Sequence, residues 1–284
     1  MWMGDSNNVA LQEHNWRLLD TGYKTGPENM AIDEAIMRAH GRGEVAPTLR
    51  FYGWDPACVS IGYFQSMAKE IDLDAVRAGG WGYVRRPTGG RMIFHHMELT
   101  YSVTIREELL PGGVVETYRD ISQGLLAGFR ALGAPAELSG GEVDPRRSDP
   151  GGNHTACFDS PSAYELIVDG RKAAGSAQTR KDGVILQHGS IMLDMDLALM
   201  FSLMRIPDEL RTKLMERLGK KAVTLRETLG RNVSYEEARD AFTQGFAQGM
   251  GLTLAPGPLT QAEEADAAEL VREKYGNDSW NLKK

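Results

Sequence analysis

Cysteine is scarce in this chain of 284 residues: Cys58 and Cys157 are the whole complement, too few and too far apart for a disulfide framework or a multi-cysteine metal site. Long apolar runs are missing too. None approaches the ~18 residues that a membrane-spanning helix needs, and the opening MWMGDSNN lacks a basic region leading into a hydrophobic stretch. Positive charge is not in excess. A formal net charge of −7 argues against a generic nucleic-acid binder, which calls for a basic surface or stripe. Internal repeats and low-complexity tracts are also absent. What remains reads as a cytoplasmic globular protein, and 42% apolar with 25% charged residues is an ordinary composition for one.

Periodicity predicts an α/β chain (α+β) in which a mixed sheet carries helices, with a helical C-terminal portion. The expected organisation is a loose N-terminus over 1–15, a catalytic region over 16–195, and helices over 196–284 packed on the same domain. Trp16 to Asp20 reads as a strand. Thr25-Gly-Pro-Glu28 has capping-box spacing with proline in the first turn, so a helix should run to about His40 with Ala31, Ile32, Ala35, Ile36 and Ala39 on its apolar side. Strands are expected at Thr48 to Tyr52, Ala57 to Gly62, Gly82 to Arg85 and Glu98 to Ile105, and helices at Asp72 to Ala78 and Val115 to Leu132. Cys58, inside ACVSIGY, is expected in the core. Further on, helices are predicted over Asp208 to Leu218, Tyr235 to Met250 and Thr260 to Tyr275, with a strand-like break at Leu252 to Leu254. The basic residues Arg211, Lys213, Arg217, Lys220 and Lys221 fit a solvated helix face, or a surface for an acidic partner.

Cys157 is placed differently. It sits in Ser139 to Ser162, a stretch crowded with Gly, Pro, Asp and Ser that predicts a long irregular loop, where a thiol does not simply fill a core. Asp169-Gly170 and Asp182-Gly183 each divide extended runs and predict two tight hairpins. Lys172 then falls on the middle strand of a meander, facing the strand that leaves the cysteine loop. A nearby ammonium lowers a thiol's pKa and stabilises the oxyanion formed when the thiolate attacks a carbonyl. Beside Lys172, Ala173, Ala174, Gly175, Ser176 and Ala177 offer so little bulk that a slim acyl chain could lie against them. RRPTGGR, Arg85 to Arg91, lets backbone approach a ligand closely, although Gly-Gly between strands is ordinarily just a turn. Of the histidines, His95, His96, His154 and His188 could each serve a cysteine as base, but none has metal-ligand spacing, and no metal is expected.

RRPTGGR, His95 with ELTYS, CFDSPSAYEL, GRKAAGSAQTR and ILQHGSI, in this order, resemble the octanoyltransferases of lipoate synthesis, the LipM kind, as do NMAIDEA and RFYGWDPACVSIGYFQ. The resemblance runs from about Trp16 to the end. It implies the biotin/lipoate protein ligase catalytic fold, and octanoyl transfer from acyl carrier protein to a cysteine, then to a lysine of a lipoyl domain, typically the glycine-cleavage H protein. By motif, it implies Cys157 as nucleophile and Lys172 as the lysine facing the acyl carbonyl. Arg86, Thr88, Gly89, Gly90 and His95 map to the acyl pocket, and Gly175, Ser176 and Ala177 to its small-residue wall. No cofactor is implied, because exchanging thioesters is nearly balanced and thioester to amide is downhill. The rivals are an ATP-dependent lipoate–protein ligase on the same fold and a cysteine hydrolase or amidase. Cys157, and Arg91 where ligases commonly carry a third glycine, favour the transferase. One departure is His95-His96, where the family often reads His-Asp, which removes a carboxylate beside His95; another is the stretch before Cys157, GGEVDPRRSDPGGNHTA, which has little resemblance to the family.

Overall fold

The computed structural model describes residues 15–140 and 164–283; Cys157 and His154 lie outside them. A six-stranded sheet organises the chain, in the order β10-β11-β6-β2-β1-β12. Its members are β1 (Asn15–Lys24), β2 (Thr48–Trp54), β6 (Glu98–Arg106), β10 (Ala174–Lys181), β11 (Val184–Met192) and β12 (Thr253–Pro256). The β10, β11, β6 and β2 neighbours are antiparallel, whereas β1 lies parallel to both β2 and β12, so the sheet is mixed as expected. Two smaller sheets attach to it. One is β4 (Gly82–Arg85), β3 (Cys58–Ile61) and β5 (Ile93–His95); the other is β7 (Ala136–Leu138), β8 (Leu166–Val168) and β9 (Arg171–Lys172).

Both predicted hairpins form. Asp169 and Gly170, and likewise Asp182 and Gly183, have positive φ (49° and 73°; 52° and 75°), the backbone that a two-residue turn between twisted strands demands. The middle strand of the meander is divided, however. Lys172 pairs with Ile167 in the small sheet, while Ala174 onwards pairs with β11 in the large one, and Ala173 is the joint.

Helix α1 (Gly26–Gly41) begins at the predicted capping box, with the Thr25 and Glu28 side chains each bonding the other's backbone N–H. Its predicted apolar side is buried, but so are Asn29, Asp33, Glu34 and His40. The reason is that α1 is covered twice, by the large sheet and by a later helix, α5 below. The opposite face of the sheet carries α2 (Val114–Ala131) and α4 (Tyr235–Met250), which cross through glycines. A Cβ on Gly245 would fall 2.2 Å from the Gly128 backbone nitrogen, and one on Gly249 would fall 2.3 Å from the Gln123 carbonyl oxygen. Phe246 of α4 meets Phe51 and Tyr101 of the sheet at ring-centre distances of 6.2 and 5.4 Å. Between these two helices in the sequence comes α3 (Asp208–Lys221), the carrier of the basic cluster, with Arg211 tied to the Phe201 carbonyl.

The region after residue 196 contributes more than helices. β12 extends the sheet beside β1, and α5 (Gln261–Leu270), followed by a turn of π-helix over Val271–Tyr275, packs on α1. Cys58 is fully buried, as expected, and burial pushes its thiol pKa far up. Among the described residues no helix is long and apolar enough to cross a membrane.

Candidate active site

Strand register builds a floor. On β10, Gly175 and Ala177 stand opposite Ser190 and His188 of β11; these stand opposite Thr100 and Ser102 of β6, and Thr100 opposite Tyr52 of β2. Residues two apart share a face, so these side chains form one patch on the side of the sheet that α1 covers. The small β4-β3-β5 sheet and the glycine loop close over it. Between them is a narrow cavity lined by Arg86, Ile93 and His95 above and by Tyr52, Thr100, Gly175, Ser176, Ala177, His188, Gly189 and Ser190 below, with Met30 and Trp54 at the side.

The glycine loop is wrapped around Arg86. Its guanidinium, buried, donates to Ser60 Oγ at 2.7 Å, to the Gly89 carbonyl at 3.1 Å and to the Arg91 carbonyl at 2.8 Å. Gly90 has φ +93°, and its carbonyl would be 2.0 Å from a Cβ on Gly62. Both positions therefore need glycine. Arg85, fully buried, donates to the backbone carbonyls of Gly62, Tyr63, Gln65, Trp280, Asn281 and Lys283, and burial lowers its pKa.

His95 stacks on Trp54, ring centres 3.9 Å apart, with one ring nitrogen 2.6 Å from Ser60 Oγ and the other 2.7 Å from Glu98 Oε1. His96 points outward, exposed, toward the rings of Trp81 and Phe94. The carboxylate expected to be missing beside His95 is thus present, supplied by Glu98. His188 lies 2.7 Å from Thr88 Oγ1 and 3.3 Å from Asp33 Oδ2. Burial lowers the His188 pKa against the opposing pull of Asp33. Burial works to raise the carboxyl pKa of Asp33, but Arg50 and then His188 and Ser102 override it and hold it below its ordinary value. Glu98 is also held low, with burial overridden by His95, Ser190 and Thr100.

Of the residues expected here, Arg86, His95, Gly175, Ser176 and Ala177 line the cavity together. Thr88 reaches it through His188, and Gly89 and Gly90 shape the loop. Lys172 is not on the cavity wall. It is buried on β9, its Nζ 2.6 Å from Glu165 Oε1 and its carbonyl accepting from Val223. Sequence reasoning passed over Asp33, Ser60, Tyr52, Trp54 and Glu98. The alternation in ELTYSV held the signal for one of them, because it puts Glu98, Thr100 and Ser102 on a single polar face of a buried strand.

The lipoyl protein ligase A/B catalytic domain matches residues 25–247. Octanoyltransferase LipM of Symbiobacterium thermophilum is 71% identical over 273 residues, which cover 96% of this chain and 100% of that protein. The chain belongs to the LipM octanoyltransferase family. Among solved structures, this chain's fold resembles that of lipoate protein ligases. A bi-partite lipoate protein ligase of Thermoplasma acidophilum, analysed with its E2 lipoyl domain, superposes with a TM-score of 0.79 at 25% identity, over 95% of this chain and 96% of that one. A lipoate-protein ligase A bound with ATP gives 0.77 at 26% identity, over 94% and 98%. The expected catalytic fold is the one observed.

Proposed function

We propose that this protein transfers an octanoyl group from octanoyl-acyl carrier protein, through a thioester on Cys157, to a lysine ε-amine of a lipoyl domain such as the glycine-cleavage H protein. The observation that carries the reading is the 71% identity, over 96% of this chain, to Octanoyltransferase LipM. The narrow cavity supports it. Gly175 and Ala177 give one wall almost no bulk, so an unbranched chain fits better than a bulky group. Lys172 would stabilise the Cys157 thiolate and the oxyanion of each tetrahedral intermediate, with Glu165 2.6 Å from its ammonium. In the first step the thiolate adds to the carrier thioester carbonyl and the carrier thiolate leaves, taking up a proton. In the second the acceptor amine displaces Cys157 and loses a proton, giving the amide.

The ligase reading shares the fold but activates a free acid with ATP and has no use for a thiol. The hydrolase reading needs a histidine base beside Cys157 and takes water as the final acceptor. A transfer assay separates all three. With octanoyl-acyl carrier protein and a lipoyl domain, without ATP, the domain should gain one octanoyl group on its lysine. Gain only with ATP and free acid would support the ligase, and octanoic acid released without acceptor the hydrolase.

A further inference from the structure

Two hydrogen-bond chains, each with a carboxylate, a histidine and a hydroxyl in that order, converge on the glycine loop. The first is Asp33, His188, Thr88, running from α1 through β11 to the loop. The second is Glu98, His95, Ser60, Arg86, running from β6 through β5 and β3 to the same loop. Every member is buried, none more than 6% exposed. An ionised carboxylate can only accept, so Nδ1 must carry the proton in both rings. In a neutral ring Nε2 is then an acceptor, and the hydroxyl beyond must donate. Ser60 can meet this condition, because it accepts from Arg86 and so has its own proton to give to His95.

The carboxylates are themselves fixed. Asp33 Oδ1 accepts from Arg50 at 2.6 Å and Ser102 at 2.8 Å, and Oδ2 from Tyr52 at 3.0 Å. Glu98 accepts from Thr100 and Ser190 as well as His95. Neither carboxylate lines the cavity, yet the two chains end on Arg86 and Thr88, two residues apart in the loop that closes it.

We infer that Asp33 and Glu98 are positioning residues for the acyl cavity: each holds a histidine in the Nδ1–H tautomer, and through Thr88 or Ser60 each fixes one side of the glycine loop over the Gly175–Ala177 wall. Cavity width is then set by groups that never touch the acyl chain. The inference rests on the octanoyl-transfer reading for its kinetic assay alone.

The test has two parts. Nitrogen-15 spectra of the full chain with labelled histidine should show His95 and His188 as neutral Nδ1–H rings, and Thr88→Val should alter the His188 signal while leaving His95 unchanged. Rings protonated at Nε2 alone overturn the inference. Kinetically, Thr88→Val and Ser60→Ala should each raise KM for the octanoyl donor at least tenfold and flatten the preference among hexanoyl, octanoyl and decanoyl donors. Thr88→Ser, which keeps the hydroxyl, should restore both. Losses equal at all chain lengths that merely follow a lowered melting temperature overturn the inference, as does an unchanged profile. If the wild type proves inactive with octanoyl-acyl carrier protein while the tautomers are as stated, the transfer reading falls and the positioning chains stand.

Discussion

Ala177→Leu tests the assignment of the cavity to the acyl chain. Ala177 sits in register with His188 on the floor, and it lines the narrow cavity. Leucine adds three carbons there. If they take the place of three acyl methylenes, at ~0.8 kcal/mol per buried CH₂, octanoyl loses about 2.4 kcal/mol of binding, roughly a 60-fold fall in kcat/KM. A pentanoyl donor, short by the same three carbons, should be nearly unaffected. The assay is competition among pentanoyl-, hexanoyl-, octanoyl- and decanoyl-acyl carrier protein, read by the mass of the modified lipoyl domain. Equal loss for every chain length would refute the reasoning, and so would an unchanged preference for octanoyl; either result would place the acyl chain elsewhere.

Removing the Lys172 ammonium with Lys172→Ala should cost on the order of 10²-fold in kcat if it stabilises the oxyanion, and near-wild-type turnover would take it out of the mechanism. Gly245→Ala forces α4 away from α2, since the new Cβ would lie 2.2 Å from the Gly128 nitrogen; the expected cost is about 3 kcal/mol or more, seen as a lower melting temperature, and an unchanged one would contradict the glycine crossing. Stability should fall on acidification. The buried His188 and His40, their pKa values lowered by burial, resist a proton that the unfolded chain accepts below about pH 6.5. Asp33, Glu98, Glu34 and Glu263, all held below the ordinary carboxyl value, withhold stability in the same direction as the pH falls below about 4.5, with Glu70, raised by burial, opposing. A melting temperature flat or rising from pH 7 to pH 4 would contradict this.

Local chemistry was legible in the sequence, and long-range pairing was not. The Thr25–Glu28 box and the two Asp-Gly turns are decided by neighbouring residues, and each formed where it was read. The parallel pairing of β12 with β1 joins Asn15 to Thr253, and nothing local in either segment specifies it. The same holds for the site. The small-residue run at Gly175 to Ala177 announced a wall, and RRPTGGR announced a close turn, because both are written in consecutive residues. Asp33 could not be paired with His188, 155 residues away, since a carboxylate within an amphipathic helix ordinarily faces water. Here α5 and the sheet bury α1 on both sides, and the carboxylate becomes part of the site. The division of the meander at Ala173 was hidden for a similar reason, because which sheet a strand joins depends on its partners.

The most direct test of thioester transfer is the intact mass of the protein after incubation with octanoyl-acyl carrier protein, without ATP or acceptor. An octanoyl-sized adduct that hydroxylamine removes, absent from Cys157→Ala at an unchanged melting temperature, is the predicted result. An unmodified protein, with transfer appearing only when ATP and free octanoic or lipoic acid are supplied, would contradict it.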